Sequence, residues 1–224
     1  NNGAEIAEQD KYLALDTSLE RQVALKIPHE RFLQDQKFVD RFMREAKAMA
    51  KLKHTNIVQI YTVGVHEDIP FFAMEYIAGK TLSEIISEEG PLDLSRALSY
   101  LRQIAAAIGL AHKMHVIHRD IKPANILIDQ SGRAMVTDFG VSKIISEEIS
   151  QQTMGLVGTP QYMSPEICLG EEFDHRSDIY SLGVLFFEML AGAPPFAGNT
   201  PVETMRKQVS EVPEMPPEQR ARLP

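Results

Sequence analysis

His118-Arg119-Asp120-Ile121-Lys122-Pro123-Ala124-Asn125 is the stretch on which the fold turns. It places an aspartate, a lysine and an asparagine in one short loop between a helix and a strand. The helix upstream, Leu94–Lys113, is amphipathic, and Pro91 and Asp93 open it. Downstream, residues 126–128 and 134–136 read as short strands joined by the turn Asp129-Gln130-Ser131-Gly132. Asp138-Phe139-Gly140 follows the second strand directly. That tripeptide says little alone, since any tripeptide recurs by chance, whereas the longer loop is specific. Asp120, Asn125 and Asp138 supply oxygen ligands and a base, as Mg²⁺ and phosphate chemistry require. His112, His115 and His118 recur at three-residue steps, but the last two lie past the helix end, so a histidine metal site is not expected.

Toward the N-terminus, residues 11–15 and 22–27 read as a strand pair across a polar link. A helix is expected over 38–52, with Phe38, Phe42, Met49 and Leu52 on one stripe, Ala46 beside it and Asp35 as its N-cap. Residues 57–65 and 71–76 are strand-like. Glu45 falls on the apolar stripe of its helix, and a carboxylate on a buried face needs a partner. Alternation puts Lys26 on the same strand face as the small Ala24. A buried Lys26–Glu45 pair beside a slot is the simplest reading; an ordinary structural ion pair is the other.

Toward the C-terminus, residues 142–159 form a polar stretch with little periodicity, and loops of that length are usually functional. Residues 177–191 are apolar on nearly all sides and read as a central helix. A last helix covers 200–209, and the proline-rich 213–217 ends it. A sheet-rich part followed by a helical part implies a cleft, a favoured place for ligands.

Composition narrows the classes. The 224 residues are 44% hydrophobic and 24% charged, enough to bury a core. A formal net charge of −8 argues against nucleic acid, which needs a basic face. The single cysteine, Cys168, excludes an internal disulfide, fits a reducing compartment and reads as packing. The longest apolar run, 179–190, is too short to span a bilayer and contains Glu188. No signal peptide is visible, and the first residue is not methionine, so the chain reads as a fragment.

In order along the chain, Val23-Ala24-Leu25-Lys26, Glu45, His118 to Asn125, Asp138-Phe139-Gly140 and Ser164-Pro165-Glu166 resemble the protein-kinase signature. Glu45 follows Lys26 by 19 residues and Asp138 follows Asp120 by 18, spacings typical of that family. Ile121 to Leu127 and Gly158 to Glu166 look like bacterial serine/threonine kinases. The resemblance runs from about Tyr12 to the C-terminus. It implies an α+β, two-lobed fold: an antiparallel-sheet lobe with one long helix over 1–77, and a helical lobe over 78–224.

The same resemblance implies the cofactors ATP and Mg²⁺ and a role for each residue. Lys26 would hold the α- and β-phosphates, with Glu45 orienting it. Asp120 would accept the proton of the substrate hydroxyl, and Lys122 would contact the γ-phosphate. Asn125 and Asp138 would hold Mg²⁺. Met74 would be the gatekeeper, the backbones of Glu75 and Ile77 would read adenine, and Ala24 and Leu127 would enclose it. Met49, Ile60, His118 and Phe139 would stack as a spine anchored by Asp178. Lys122 and Thr159 mark serine/threonine substrates. Arg119 suits a kinase switched on by loop phosphorylation, with Thr153 the best candidate, ahead of Ser146 and Ser150, and self-association as a route to autophosphorylation.

The two ends depart from the family. Its glycine-rich loop would place glycines at Ala4, Ile6 and Gln9, and a valine at Lys11. No residue matches, and without glycines a backbone cannot approach phosphates as closely. Arg220 and Arg222 come too early to be the arginine that pairs with the glutamate at Glu166. The leading expectation is a protein serine/threonine kinase in the cytoplasm, or the cytoplasmic part of a tethered protein. A scaffold that keeps the fold without turnover is the alternative. A small-molecule kinase is disfavoured by the long loop ending in Ser164-Pro165-Glu166.

Overall fold

The computed structural model describes residues 9–139 and 160–221, and the side chains of Gln9, Asp10 and Arg31 are excluded from description. The first strands are β1 (Gln9–Asp16) and β2 (Arg21–Pro28), each longer than the alternation implied. Helix α1 (Gln36–Met49) follows, then β3 (Ile60–His66) and β4 (Ile69–Glu75). These strands make one antiparallel sheet in the order β1-β2-β4-β3. A two-residue turn, Glu67-Asp68, joins β3 to β4 with both residues at positive φ (48° and 63°), the twist that antiparallel hairpins favour.

Asp35 caps α1 as expected, its side chain accepting from the backbone N–H groups of Lys37 and Phe38. The helix buries Phe38, Phe42, Ala46 and Met49, one stripe at helical spacing. Ring contacts carry that stripe onto the sheet: Phe32 stacks on Phe38 at 4.8 Å and Phe38 on Phe42 at 6.4 Å, and Phe42 meets Phe72 at 5.2 Å in a tilted pair.

A second, three-stranded sheet has the order β5 (Gly79–Thr81), β6 (Ile126–Asp129), β7 (Ala134–Val136). Gly79 is required there, because a Cβ would stand 2.0 Å from the Ile128 carbonyl oxygen. Around this sheet lie α2 (Leu82–Glu89), α3 (Leu94–Lys113), α4 (Pro165–Leu169), α5 (Arg176–Ala191), α6 (Pro201–Ser210) and α7 (Pro217–Arg220). The helix α2 was absent from the sequence expectation, although Thr81 and Glu84 form a reciprocal capping box at its start. Helix α3 packs on α5 and β7. Apolar burial is continuous from Phe42 on α1 to Met189 on α5.

Short hydrogen bonds tie the sheet-rich part to the helical part. Val58 donates to the Val136 carbonyl (2.9 Å), and Val136 donates to that of Asn56 (2.8 Å). Buried Asn56 spends its amide on Gln103 Oε1 (2.9 Å) and the Ala134 carbonyl (2.7 Å). These bonds fix β7, and the Asp138 segment after it, against the chain that leads into β3. No described helix is long and apolar enough to cross a membrane.

Candidate active site

The loop 118–125 is organised by a carboxylate from a different element. Asp178, in the first turn of α5, is 1% exposed. Its Oδ2 accepts from the backbone N–H of His118 and its Oδ1 from that of Arg119, each at 2.8 Å. The same Oδ2 lies 2.7 Å from His112 Nε2. This carboxylate, gripping two successive N–H groups, helps hold Arg119 at a positive φ of 69°, a conformation that costs a non-glycine residue free energy.

His118 is fully buried and reads as a single tautomer. Its Nδ1 accepts from the Asp120 backbone N–H (3.2 Å), so Nε2 carries the proton and donates to the Thr137 carbonyl (3.0 Å). Burial lowers its pKa, which keeps the ring neutral. The ring also lies 4.5 Å from that of Phe139. Met49, Ile60 and Phe139 line one small cavity with Phe72 and Met74, so the expected spine residues are brought together. His112 and His118 are engaged with Asp178, Thr137 and Asp120.

Asn125 donates through Nδ2 to the Asp120 carbonyl and to Asp120 Oδ2, both at 2.8 Å. That leaves its amide oxygen as the atom suited to a hard cation. Lys122 Nζ stands 3.2 Å from Asp120 Oδ2. A cation and an amide thus converge on one carboxylate.

Asp138 completes the cluster from the other side, at a positive φ of 62°. Lys26 Nζ lies 2.8 Å from its Oδ1, and Lys11 Nζ 2.5 Å from its Oδ2. Burial opposes ionisation of this carboxyl, but the two ammonium groups outweigh burial and hold it far below the usual range. Burial pulls the Lys26 pKa down, against the attraction of Asp138.

Lys26 was expected to pair with Glu45, and the structure sets its ammonium against Asp138. Glu45 is on α1 with its Oε2 buried, but the charges that bear most on Lys26 are Asp138, Lys11 and Asp120. The reason is positional: the inner face of β2 directs Lys26 at the segment after β7, where Asp138 presents its carboxylate. Lys11 was singled out only as a mismatch to a family valine. The signal that could have found it is register, because alternation on a β1–β2 hairpin puts Lys11 on the face of Lys26.

The residues expected to line a nucleotide slot lie in β2, β4 and β6 and in the segment after β4. Ala24 pairs with Met74 across β2 and β4. Met74 is buried, while Ala24, Ile77 and Leu127 are part-buried against the core. The Glu75 backbone N–H is taken by the Gln59 carbonyl (2.8 Å). The Arg119 guanidinium lies 5.8 Å above the Phe173 ring. Gly140, Ser146, Ser150, Thr153 and Thr159, like Ala4 and Ile6, lie outside the described residues. Glu166, expected to want an arginine, accepts a 2.6 Å hydrogen bond from Ser177 Oγ.

Comparison with known proteins gives the same direction. The sequence profile of the protein kinase domain matches residues 10–222. A probable serine/threonine-protein kinase of Clostridium acetobutylicum is 42% identical over 200 residues, covering 89% of this chain and 30% of that protein. PrkC of Bacillus subtilis is 43% identical over 198 residues, 88% of this chain and 31% of that protein. PknB of Mycobacterium leprae is 40% identical over 214 residues, 93% of this chain and 34% of that protein. The chain spans about a third of the length of these relatives. A sheet-rich lobe with one long helix, a helical lobe, the Asp120–Asn125 loop between them and this breadth of similarity place the chain in the protein kinase domain family.

Proposed function

We propose that this chain transfers the γ-phosphate of ATP to serine or threonine hydroxyls of protein substrates, with Mg²⁺ as cofactor. The observation that carries the reading is the convergence of Lys122 and Asn125 on Asp120, with Asp138 and Lys26 joined beside them. Phosphoryl transfer asks a protein mainly for alignment and for cations near the transferring group. The donor set fits the cofactors: Asp138 and Asn125 offer hard oxygens of the kind Mg²⁺ takes, and Lys26 offers a fixed cation for phosphate. Bound Mg²⁺ would neutralise phosphate charge.

In this reading Asp120 takes up the proton of the attacking hydroxyl. Asn125 orients Asp120 through two hydrogen bonds, and Lys122 sits where charge accumulates on the transferred group. Ala24, Met74, Leu127 and the backbones of Glu75 and Ile77 form the adenine slot. Glu45, on α1, orients Lys26. Arg119 is the acceptor for a phosphate on Thr153, added between two copies of the chain, and Thr159 lies beside the bound substrate. The names of the relatives support the serine/threonine class, and the setting would be the cytoplasm.

One observation favours the scaffold alternative: both Asp138 oxygens are engaged by lysines, and no glycine precedes Lys11 at the family's positions. Labelled ATP, Mg²⁺ and a generic protein substrate separate the two. The wild-type chain is expected to incorporate label, and Asp120→Asn to lose roughly 10²- to 10⁴-fold while still binding nucleotide. Nucleotide binding without incorporation by the wild type would sink the enzyme reading.

A further inference from the structure

Lys11 and Lys26 face each other directly in the β1–β2 ladder. Directly opposed residues send their side chains from the same face of a sheet, with Cβ atoms about 5 Å apart, and like charges so placed repel. The two are not equivalent: the Lys26 side chain is 5% exposed and cannot turn to water, whereas that of Lys11 is 49% exposed. Asp138 relieves the repulsion by offering one carboxylate oxygen to each. A single Lys26–Asp138 pair would already balance in charge. Lys11 therefore adds a cation that one carboxylate does not neutralise.

We propose that Lys11 is a second phosphate-binding cation, which with Lys26 forms a two-lysine clamp on the polyphosphate of a nucleoside triphosphate. The inference rests on the reading of this chain as an ATP-using kinase domain. Its physical basis is competition for Asp138. A divalent cation at the same two oxygens would be repelled by both ammonium groups, which already stand 2.5 and 2.8 Å from them. Lysines released from Asp138 need another anion, and a polyphosphate carries several charges at that place. Lys11 has the freedom to swing, being half exposed on an edge strand, and Lys26 supplies the fixed half of the clamp. A side-chain cation from β1 would thereby replace the backbone N–H groups that a glycine-rich loop presents.

The test is calorimetric binding of ATP and of adenosine, in the presence of Mg²⁺, to the wild type, Lys11→Ala and Lys11→Arg. Loss of one charge-assisted contact predicts about tenfold weaker ATP binding by Lys11→Ala, unchanged adenosine binding and recovery of most of the ATP affinity in Lys11→Arg. Equal weakening toward ATP and adenosine would mean that Lys11 only supports the slot, and would overturn the clamp. Tighter ATP binding by Lys11→Ala would also overturn it, making Lys11 a competitor for Asp138. A wild type that binds adenosine but not ATP removes the kinase reading itself. A wild type that binds ATP, with Lys11→Ala matching it, removes the clamp alone.

Discussion

The loop after α3 and the strand β1 both reach the same carboxyl cluster, yet they are held in opposite ways. Around the loop, His118, Asn125, Thr137 and Asp178 are all nearly inaccessible, and each is hydrogen-bonded within the fold. Strand β1 sits at a sheet edge with Tyr12, Leu13 and Leu15 each at least half exposed. The Lys11–Asp138 ion pair ties it to the segment after β7. Buried polar networks fix one geometry because every alternative leaves a group unsatisfied. An exposed edge strand carries no such penalty. In the proposed reading, the base and metal side of the site would thus be built in advance, and the phosphate-covering side could adapt.

The strongest way to break that contrast is to remove the anchor of the loop. Asp178→Ala strips acceptors from two buried N–H groups and from His112. Unsatisfied buried donors predict a loss of about 4 kcal/mol. For a domain of this size that corresponds to a fall in Tm of roughly 10 °C, measurable by circular dichroism. Asp178→Asn keeps an acceptor and should lose about half as much. A fall below about 2 °C in Asp178→Ala would mean that the loop is held by its own bonds, and the contrast with β1 would collapse.

Packing supplies the next test. Leu185 on α5 is fully buried, whereas Leu15 on β1 is 62% exposed. Leu185→Ala is expected to cost about 3 kcal/mol in urea unfolding, and Leu15→Ala less than about 0.5 kcal/mol. A cost above about 1.5 kcal/mol for Leu15→Ala would show that β1 is packed more firmly than its exposure implies.

What the sequence made legible follows the same division. Helix α3 and its cap Asp93 were readable to the residue, because a long apolar period and a side-chain cap are local signals. The loop 118–125 was readable because its chemistry is written in consecutive residues. Helix α2 escaped notice, since eight residues carry too few turns for periodicity, although its capping box was in plain view. The Lys26–Asp138 contact went unforeseen for a different reason. Stripe and alternation say which face a side chain leaves from, but not which of several carboxylates lies nearest across a gap between elements. Only the folded placement of β2 beside the segment after β7 brings Lys26 to Asp138. Ser177 as the partner of Glu166 is equally non-local, joining α4 to α5.

The smallest expected effect sits in the β6–β7 turn and sharpens the comparison at a site remote from the chemistry. Asp129 Oδ1 accepts from the backbone N–H groups of Ser131 and Arg133, each at 2.9 Å, and from Ser131 Oγ at 2.7 Å. Its Oδ2 accepts from Arg133 Nε at 3.0 Å. The Ser131 hydroxyl first, and then the Arg133 N–H, lower its pKa to about 2. A carboxyl whose folded pKa is depressed stabilises the fold above its unfolded pKa near 4, and that contribution disappears as pH falls toward 2. Solvent screening at this turn brings the contribution at neutral pH to about 1 kcal/mol. Asp129→Asn should therefore lower stability by about that amount at pH 7 and become indistinguishable from the wild type near pH 2. Urea titrations between pH 7 and pH 2 measure it. A deficit that persists at pH 2 would mean that Asp129 acts through turn geometry rather than charge. The turn would then owe its order to hydrogen bonds that do not depend on ionisation.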